Sequence, residues 1–405
     1  MAGTFALTNC GQVVTCCDDG VVEGVTVHVS EGVIVRVLEG KDLPPNVETI
    51  DVGGRVVTPG LIDAHTHAVF AGSRADEYEK RAKGATYAEI ASAGGGIMAT
   101  VRAVRSATED ELFSQSSRHV GWMLRSGTTT AEMKSGYGLT LDDELKMLRV
   151  IERLGRETPL DTQATFLGAH AVPPEFSSSS EYMDHVCDVM VPAVVDQGIA
   201  VAVDMFVEEG YFSQQDAERL AGTLALPREG ADEDVRTTRL RLHVDQFTSG
   251  GAEMAARLGA ATADHLEQTG DAGIAALKAS GTVPVLLPGS VYALGLSKYP
   301  DARKMIDEGL PVVLATDFNP GSSPTPSLPM VMSIACTQMG MTPAEALTGC
   351  TANAAKALGY EDRGAIEEGM VADLVVWDVS DLREIPYFFG VDHVHAVYKR
   401  GVEVV

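Results

Sequence analysis

The chain has 405 residues, 45% hydrophobic and 22% charged, enough for a large buried core in one or two domains and ordinary for a soluble globular protein. Its formal charge of −26, from 57 acidic against 31 basic residues, argues against nucleic acid and anionic membrane surfaces as partners, because both would be repelled. No run of about 18 apolar residues is present, so no membrane-spanning helix is expected.

No Lys or Arg precedes Arg36, so the basic start of a secretory signal is missing. The six cysteines, Cys10, Cys16, Cys17, Cys187, Cys336 and Cys350, include no Cys-x-x-Cys pair, and a chain this size needs no disulfide staples. Reduced thiols in a cytoplasmic protein are the expectation. From the N-terminus, 25–29, 33–38 and 55–57 are short β-rich runs separated by Gly and Asp turns. Segments 372–377 and 394–398 have the same character at the other end. Strand-rich chain ends pair into one small β domain, so residues 1–57 plus 366–405 are expected to form a small β-sandwich.

Between these ends, over 58–365, apolar runs alternate with helical segments such as 141–154 and 343–358, the pattern of a parallel sheet covered by helices. The runs are 60–63, 128–133, 161–167, 202–207, 239–243, 261–265, 283–287 and 312–316. The expected fold class is α/β, a TIM-type (β/α)8 barrel. An open doubly wound sheet is the competing layout. The barrel is favoured because polar residues collect where the runs end, the face on which barrel enzymes place their chemistry. Segment 227–238, rich in charge and Gly, reads as a surface insertion. The run Gly94-Gly95-Gly96 is either a mobile loop or the start of a helix; it lacks the Lys-Ser/Thr ending of a phosphate loop.

The first run ends in His65 and His67. Alternation on a strand puts both imidazoles on one face, with Thr66 on the other. His170 follows the third run, His243 ends the fifth, His265 the sixth, and Asp317 follows the eighth. One such histidine is more often a packed core residue than a ligand. Several at successive strand ends point to a metal centre of two histidines from one strand, a third from another and an aspartate, with room for a water. A metal so held lowers the pKa of its water toward neutrality.

This set of strand-end residues resembles the amidohydrolase superfamily. In its binuclear members a carboxylated lysine on the fourth strand bridges two metals. The fourth run here, Ala202-Val203-Asp204-Met205-Phe206-Val207-Glu208, has no lysine, and Lys134 sits on the second run. The resemblance therefore implies one divalent metal, Zn or Fe, with His65, His67, His243 and Asp317 as ligands and His265 hydrogen-bonded to the water. In the deaminase branch a proton-shuttling glutamate commonly follows the fifth-strand histidine by three residues. Here that residue is Gln246, a neutral amide that orients substrate but carries no proton, which favours ring-amide hydrolysis over deamination.

Longer strings narrow the resemblance: Lys134-Ser135-Gly136-Tyr137-Gly138, Gly168-Ala169-His170-Ala171-Val172-Pro173-Pro174 and Asp317-Phe318-Asn319-Pro320-Gly321-Ser322 are similar to the imidazolonepropionase family, and the similarity spans nearly the whole chain. It implies hydrolysis of the ring C–N bond of 4-imidazolone-5-propanoate to N-formimidoyl-L-glutamate in histidine degradation. Asp317 would move the proton, His265 orient the water and Gln246 hold the ring. Arg74, whose guanidinium fork suits a carboxylate, would bind the propanoate; its competing role is a surface ion pair with Asp76 or Glu77. Tyr137, Tyr87 and His170 would contact the substrate, and Asn319, Gly321 and Ser322 the glutamyl end of the product. The partner implied is a small anionic heterocycle, and the assembly a homodimer. The alternative reading is a mononuclear deaminase of a small heterocycle.

Overall fold

The computed structural model describes residues 3–17, 20–39, 43, 47–85, 89–90, 93–225 and 239–405. Segment 227–238 and Tyr87 lie outside them. Seven strands open the chain: β1 (Phe5–Thr8), β2 (Gln12–Val14), β3 (Val21–Val22), β4 (Val25–Ser30), β5 (Val33–Glu39), β6 (Glu48–Asp51) and β7 (Val56–Pro59). The barrel strands are β8 (Leu61–Thr66), β9 (Thr128–Lys134), β10 (Asp161–Ala169), β11 (Ala202–Phe206), β12 (Arg239–Val244), β13 (Thr262–His265), β14 (Val283–Leu286) and β15 (Val313–Leu314). Strands β16 (Leu374–Trp377), β17 (Val394–Lys399) and β18 (Val402–Glu403) close the chain.

β8 to β15 form one eight-stranded parallel sheet in sequential order, with helices in the connections. Most of these strands are buried along nearly their whole length on both faces, as a helix-covered parallel sheet requires. The circle closes where the segment after β15 meets β8. Thr66 bridges to Phe318, Asp317 N–H donates to His65 C=O at 3.0 Å, and His67 N–H donates to Phe318 C=O at 3.0 Å. Below this seam the buried Asp63 carboxylate accepts from Thr316 N–H (3.0 Å) and Thr316 Oγ1 (2.6 Å). The barrel, rather than the open sheet, is the arrangement formed.

The expected strands fall at the expected places, and their ends are informative. β8 continues to Thr66, so His65 lies within the strand, whereas β15 spans only Val313–Leu314. The helix expected over 343–358 is two, Pro343–Gly349 and Ala352–Leu358. The break follows from competing hydrogen bonds. Thr351 Oγ1 takes the Leu347 carbonyl at 2.7 Å, the acceptor a continued helix would use, and Cys350 C=O accepts Ile62 N–H at 2.7 Å. The glycine run is a helix start: Gly96, at φ 71°, precedes the helix Ile97–Ser106.

The chain ends build two further sheets, of order β5-β4-β1-β6 and β18-β17-β16-β7-β2-β3. Phe5, Leu7 and Val27 from the first and Val57, Leu374 and Val376 from the second share a separate apolar core. This unit is fastened to the barrel by Trp377, fully buried against Gly127 and donating from Nε1 to Thr58 Oγ1 at 2.8 Å, and by Asp161 at the start of β10. Asp161 Oδ2 accepts from Arg363 (2.6 Å), Lys399 (2.8 Å) and Arg400 (3.0 Å). Burial alone would raise the Asp161 carboxyl, but Lys399 and Arg363 outweigh it and hold it below the ordinary value. A depressed carboxylate contributes stability above its unfolded pKa, near 4, and loses it as pH falls through the folded value. Asp161→Asn is therefore expected to cost about 2 kcal/mol in urea unfolding at pH 7, and less as the pH is lowered below about 4. An unchanged midpoint at pH 7 would show that the clamp contributes nothing.

Candidate active site

The C-terminal strand ends open into a cavity of about 600 Å³. His67, Arg74, Tyr137, His170, His243, Gln246, His265, Asp317, Asn319, Gly321 and Ser322 all line it, so of the described site residues singled out in the sequence only His65 is not on its wall. His65 is fully buried just beneath, its ring centroid 4.4 Å from that of His243 and 5.3 Å from that of His67. Among the described residues, His65, His67 and His243 are the one group of three or more His, Cys, Asp or Glu whose donor atoms fall within 4.8 Å of one another.

These imidazoles are oriented from below. His65 Nδ1 lies 2.6 Å from Asp264 Oδ2, and His243 Nδ1 lies 3.1 Å from Asp204 Oδ1. A carboxylate accepts, so each Nδ1 carries its proton and each Nε2 presents a lone pair. His65 Nε2 and His243 Nε2 are buried without a hydrogen-bond partner. Asp317 Oδ1 lies 3.3 Å from His67 Nε2 and 3.6 Å from His65 Nε2. Two orphaned buried imidazole nitrogens, a third imidazole and a carboxylate around one point fit a zinc- or iron-type divalent cation. Burial, then the Lys134 charge, holds His65 well below the ordinary histidine value, and burial also lowers His67 against the pull of Asp317. Both are uncharged at neutral pH, as ligands must be. The Asp317 carboxyl would be raised by burial, but His67 and the other histidines bring it below the ordinary value.

His265 behaves differently. Burial lowers it, yet Glu267, with Oε1 3.5 Å from Nδ1, raises it above the ordinary histidine value overall. Its side chain lines the cavity. The backbone here is strained: His265 (φ 84°), Leu266 (φ 70°) and Asp317 (φ 52°) occupy the left-handed region without being glycine. Such residues cost on the order of 1–3 kcal/mol each and persist where the surroundings fix them. Leu266 N–H is held by Val244 C=O at 3.2 Å, and Asp317 N–H by His65 C=O.

The cavity wall also carries two arginines, Arg74 and Arg81. Arg74, Glu77 and Arg81 lie at i, i+3 and i+7 on one face of the helix Ala75–Ala82 and its cap. Arg74 donates from Nε (2.9 Å) and Nη2 (2.7 Å) to Glu77, while Glu77 also accepts Gly96 N–H at 2.9 Å. Arg74 is thus ion-paired with Glu77, one of the partners weighed for it, and it also lines the cavity. Its Nη1 packs on Gly321, where a Cβ would come within 2.2 Å. Asn319 shapes this loop, accepting Gly321 N–H (2.8 Å) and Ser322 N–H (2.7 Å) at Oδ1 and donating from Nδ2 to Asp317 C=O (2.6 Å). Tyr137 is placed by Glu144, which is buried and accepts N–H bonds from Gly136 (2.9 Å), Gly138 (2.8 Å) and Leu139 (2.8 Å). His170 stacks on His67 at 5.1 Å, with Nδ1 3.0 Å from Gly136 C=O.

Sequence reasoning missed Arg81, which donates to Gly321 C=O at 3.1 Å, and the part played by the charges buried under the histidines. Helical spacing from Arg74 pointed to Arg81. Glu132, Asp204 and Asp264 stood in the sequence as charges embedded in apolar strand runs.

The amidohydrolase family model matches residues 56–404. An imidazolonepropionase of Solibacter usitatus is 49% identical, covering 98% of this chain and 97% of its own length; one of Geobacillus kaustophilus is 46% identical over 96% and 92%. Among solved structures, a triazine hydrolase variant aligns with a TM-score of 0.74 at 18% identity, over 99% of this chain and 94% of its own. A Xaa-Pro dipeptidase with methionine in its active site aligns with a TM-score of 0.72 at 15% identity, over 99% and 100%. At those identities the structures speak for the fold alone, and the sequence relatives for the family. This chain belongs to the amidohydrolase family, and within it to the imidazolonepropionases.

Proposed function

We propose that this chain hydrolyses the ring amide C–N bond of 4-imidazolone-5-propanoate, giving N-formimidoyl-L-glutamate in histidine degradation. The observation that carries the reading is one cavity whose wall holds imidazole donors with Asp317 and also the Arg74 guanidinium. The reacting amide and the propanoate of this substrate need those two kinds of group. The imidazolonepropionase relatives, at up to 49% identity over nearly the whole chain, support the same substrate.

His65, His67, His243 and Asp317 would hold one divalent metal, zinc or iron. Bound there, it would supply Lewis-acid activation of a water and of the ring carbonyl. Asp317, kept ionised, accepts the water's proton as the oxygen adds to the carbonyl carbon. It then returns a proton to the ring nitrogen as the C–N bond breaks, so no external acid or base is consumed. His265, with its raised pKa, hydrogen-bonds the attacking oxygen. Gln246 and Tyr137 hold the polar atoms of the ring, and His170 closes its other face. Arg74 binds the propanoate; Asn319 and Ser322 offer polar groups to the glutamyl end. A single metal is supported by the single donor cluster among the described residues. Six unpaired thiols are consistent with a cytoplasmic location, and no described helix is long and apolar enough to cross a membrane. The assembly proposed is a homodimer, supported by the exposed apolar run Tyr387, Phe388, Phe389 and Val391.

The substrate can be generated in place from urocanate with urocanase, and N-formimidoyl-glutamate followed by mass spectrometry with ammonia measured in parallel. Formation of that product, lost on metal removal and restored by zinc or iron, is the expected result. Excess ammonia would establish the deaminase instead. Asp317→Asn is expected to lower kcat by about a thousandfold, the scale of a removed general base; near-normal turnover would take Asp317 out of proton transfer. Gly321→Ala, which pushes Arg74 off its place, should raise KM about tenfold or more with little change in melting temperature. An unaltered KM would mean that the propanoate is held elsewhere.

A further inference from the structure

Barrel interiors are ordinarily filled by Val, Ile and Leu from alternate strands. Directly below the histidines this barrel carries Lys134 on β9, Asp204 on β11 and Asp264 on β13, with Glu132 and Arg241 beside them, all with no exposed surface. Burying five ionisable groups without water is costly and stands only if they satisfy one another. Lys134 Nζ is the shared partner. It lies 2.7 Å from Asp204 Oδ2, 2.9 Å from Glu132 Oε1 and 3.8 Å from Asp264 Oδ2.

Each of these carboxylates in turn reaches a segment that bears a metal donor. Asp204 uses its other oxygen for His243 Nδ1 at 3.1 Å. Asp264 uses the oxygen nearest Lys134 for His65 Nδ1 at 2.6 Å. Glu132 Oε2 accepts the N–H of Thr66, between His65 and His67, at 3.4 Å, and its backbone carbonyl accepts Thr66 Oγ1 at 2.7 Å. One ammonium therefore lies one carboxylate away from the Nδ1 of both imidazoles whose Nε2 is orphaned, and from the strand carrying the third histidine. Nothing in the proposed reaction uses Lys134, which is sealed from the cavity.

We infer that Lys134 is a positioning residue for the metal centre: its ammonium fixes Asp204, Asp264 and Glu132, and through them the tautomer and direction of His243 and His65. Without that cation the three carboxylates lose their shared partner; Arg241, 4.0 Å from Glu132, stands near one of them, and Asp204 and Asp264 are free to turn away from the imidazoles. The inference deepens the metal site proposed above and rests on it.

Its test uses the intact protein loaded with cobalt(II), whose ligand-field bands report ligand geometry. Lys134→Met is expected to speed cobalt release to a competing chelator by about 10- to 100-fold, the usual scale for partners lying behind metal ligands, and to shift those bands. With substrate, kcat should fall while KM changes by less than about twofold, because no substrate contact is removed. A residue that merely stabilised the fold would lower the melting temperature and leave bands and release rate alone. If Lys134→Met does not fold, the double substitution Lys134→Met/Glu132→Gln removes a charge pair together and carries the same expectation. Wild-type release and bands in either folded variant would overturn the role of Lys134 alone. An unsubstituted chain that retains no cobalt would remove the metal centre and this role with it.

Discussion

The 2.6 Å hydrogen bond between His65 Nδ1 and Asp264 decides more of this structure than any other single contact. It sets which nitrogen of a fully buried imidazole carries the proton, and so turns the other nitrogen into a donor aimed at a shared point. The bond needs an ionised carboxylate in a place where burial, with the Lys134 charge already pulling against it, leaves Asp264 raised to about 6. Lys134 answers that, since Asp204, Glu132 and Asp264 more than reverse the lowering its own burial brings and keep the ammonium charged. The chain of dependence runs from an ammonium in the barrel floor, through carboxylates, to imidazoles, and ends in the open cavity.

The barrel makes this arrangement affordable in geometry. Parallel strands deliver every C-terminal residue to one rim, so donors far apart in sequence, at 65, 67, 243 and 317, meet without long loops. The seam between the segment after β15 and β8 matters twice: it closes the barrel, and it clamps Asp317 in a left-handed backbone conformation beside His65 and His67. The two sheets from the chain ends lie away from the chemistry, fastened by Trp377 and Asp161, and leave the cavity rim free.

Most of the fold was legible because strand runs buried on both sides are continuous in the sequence, and Gly and Asp turns punctuate the ends of the chain. Element ends were less so: Thr351 splits one helix by taking a carbonyl through its side chain, a contest that periodicity does not register. In the site, residues at strand ends were readable as a set, since chance rarely ends successive strands in His and Asp. Glu132, Asp204 and Asp264 were passed over because a charge inside an apolar run means nothing until its partner on another strand is known. Lys134 was noticed only as misplaced for bridging two metals; three dimensions put it under the histidines instead. Arg74 showed the opposite case, since its ion pair with Glu77 does not take it off the cavity wall.

The most direct test of this account is a crystal structure of the metal-loaded protein with anomalous diffraction measured at the metal's absorption edge. The account predicts one peak per chain, within bonding distance of His65 Nε2, His67, His243 Nε2 and Asp317, with His65 Nδ1 and His243 Nδ1 still on Asp264 and Asp204. Two peaks in the cavity, or a single peak away from these four side chains, would contradict it.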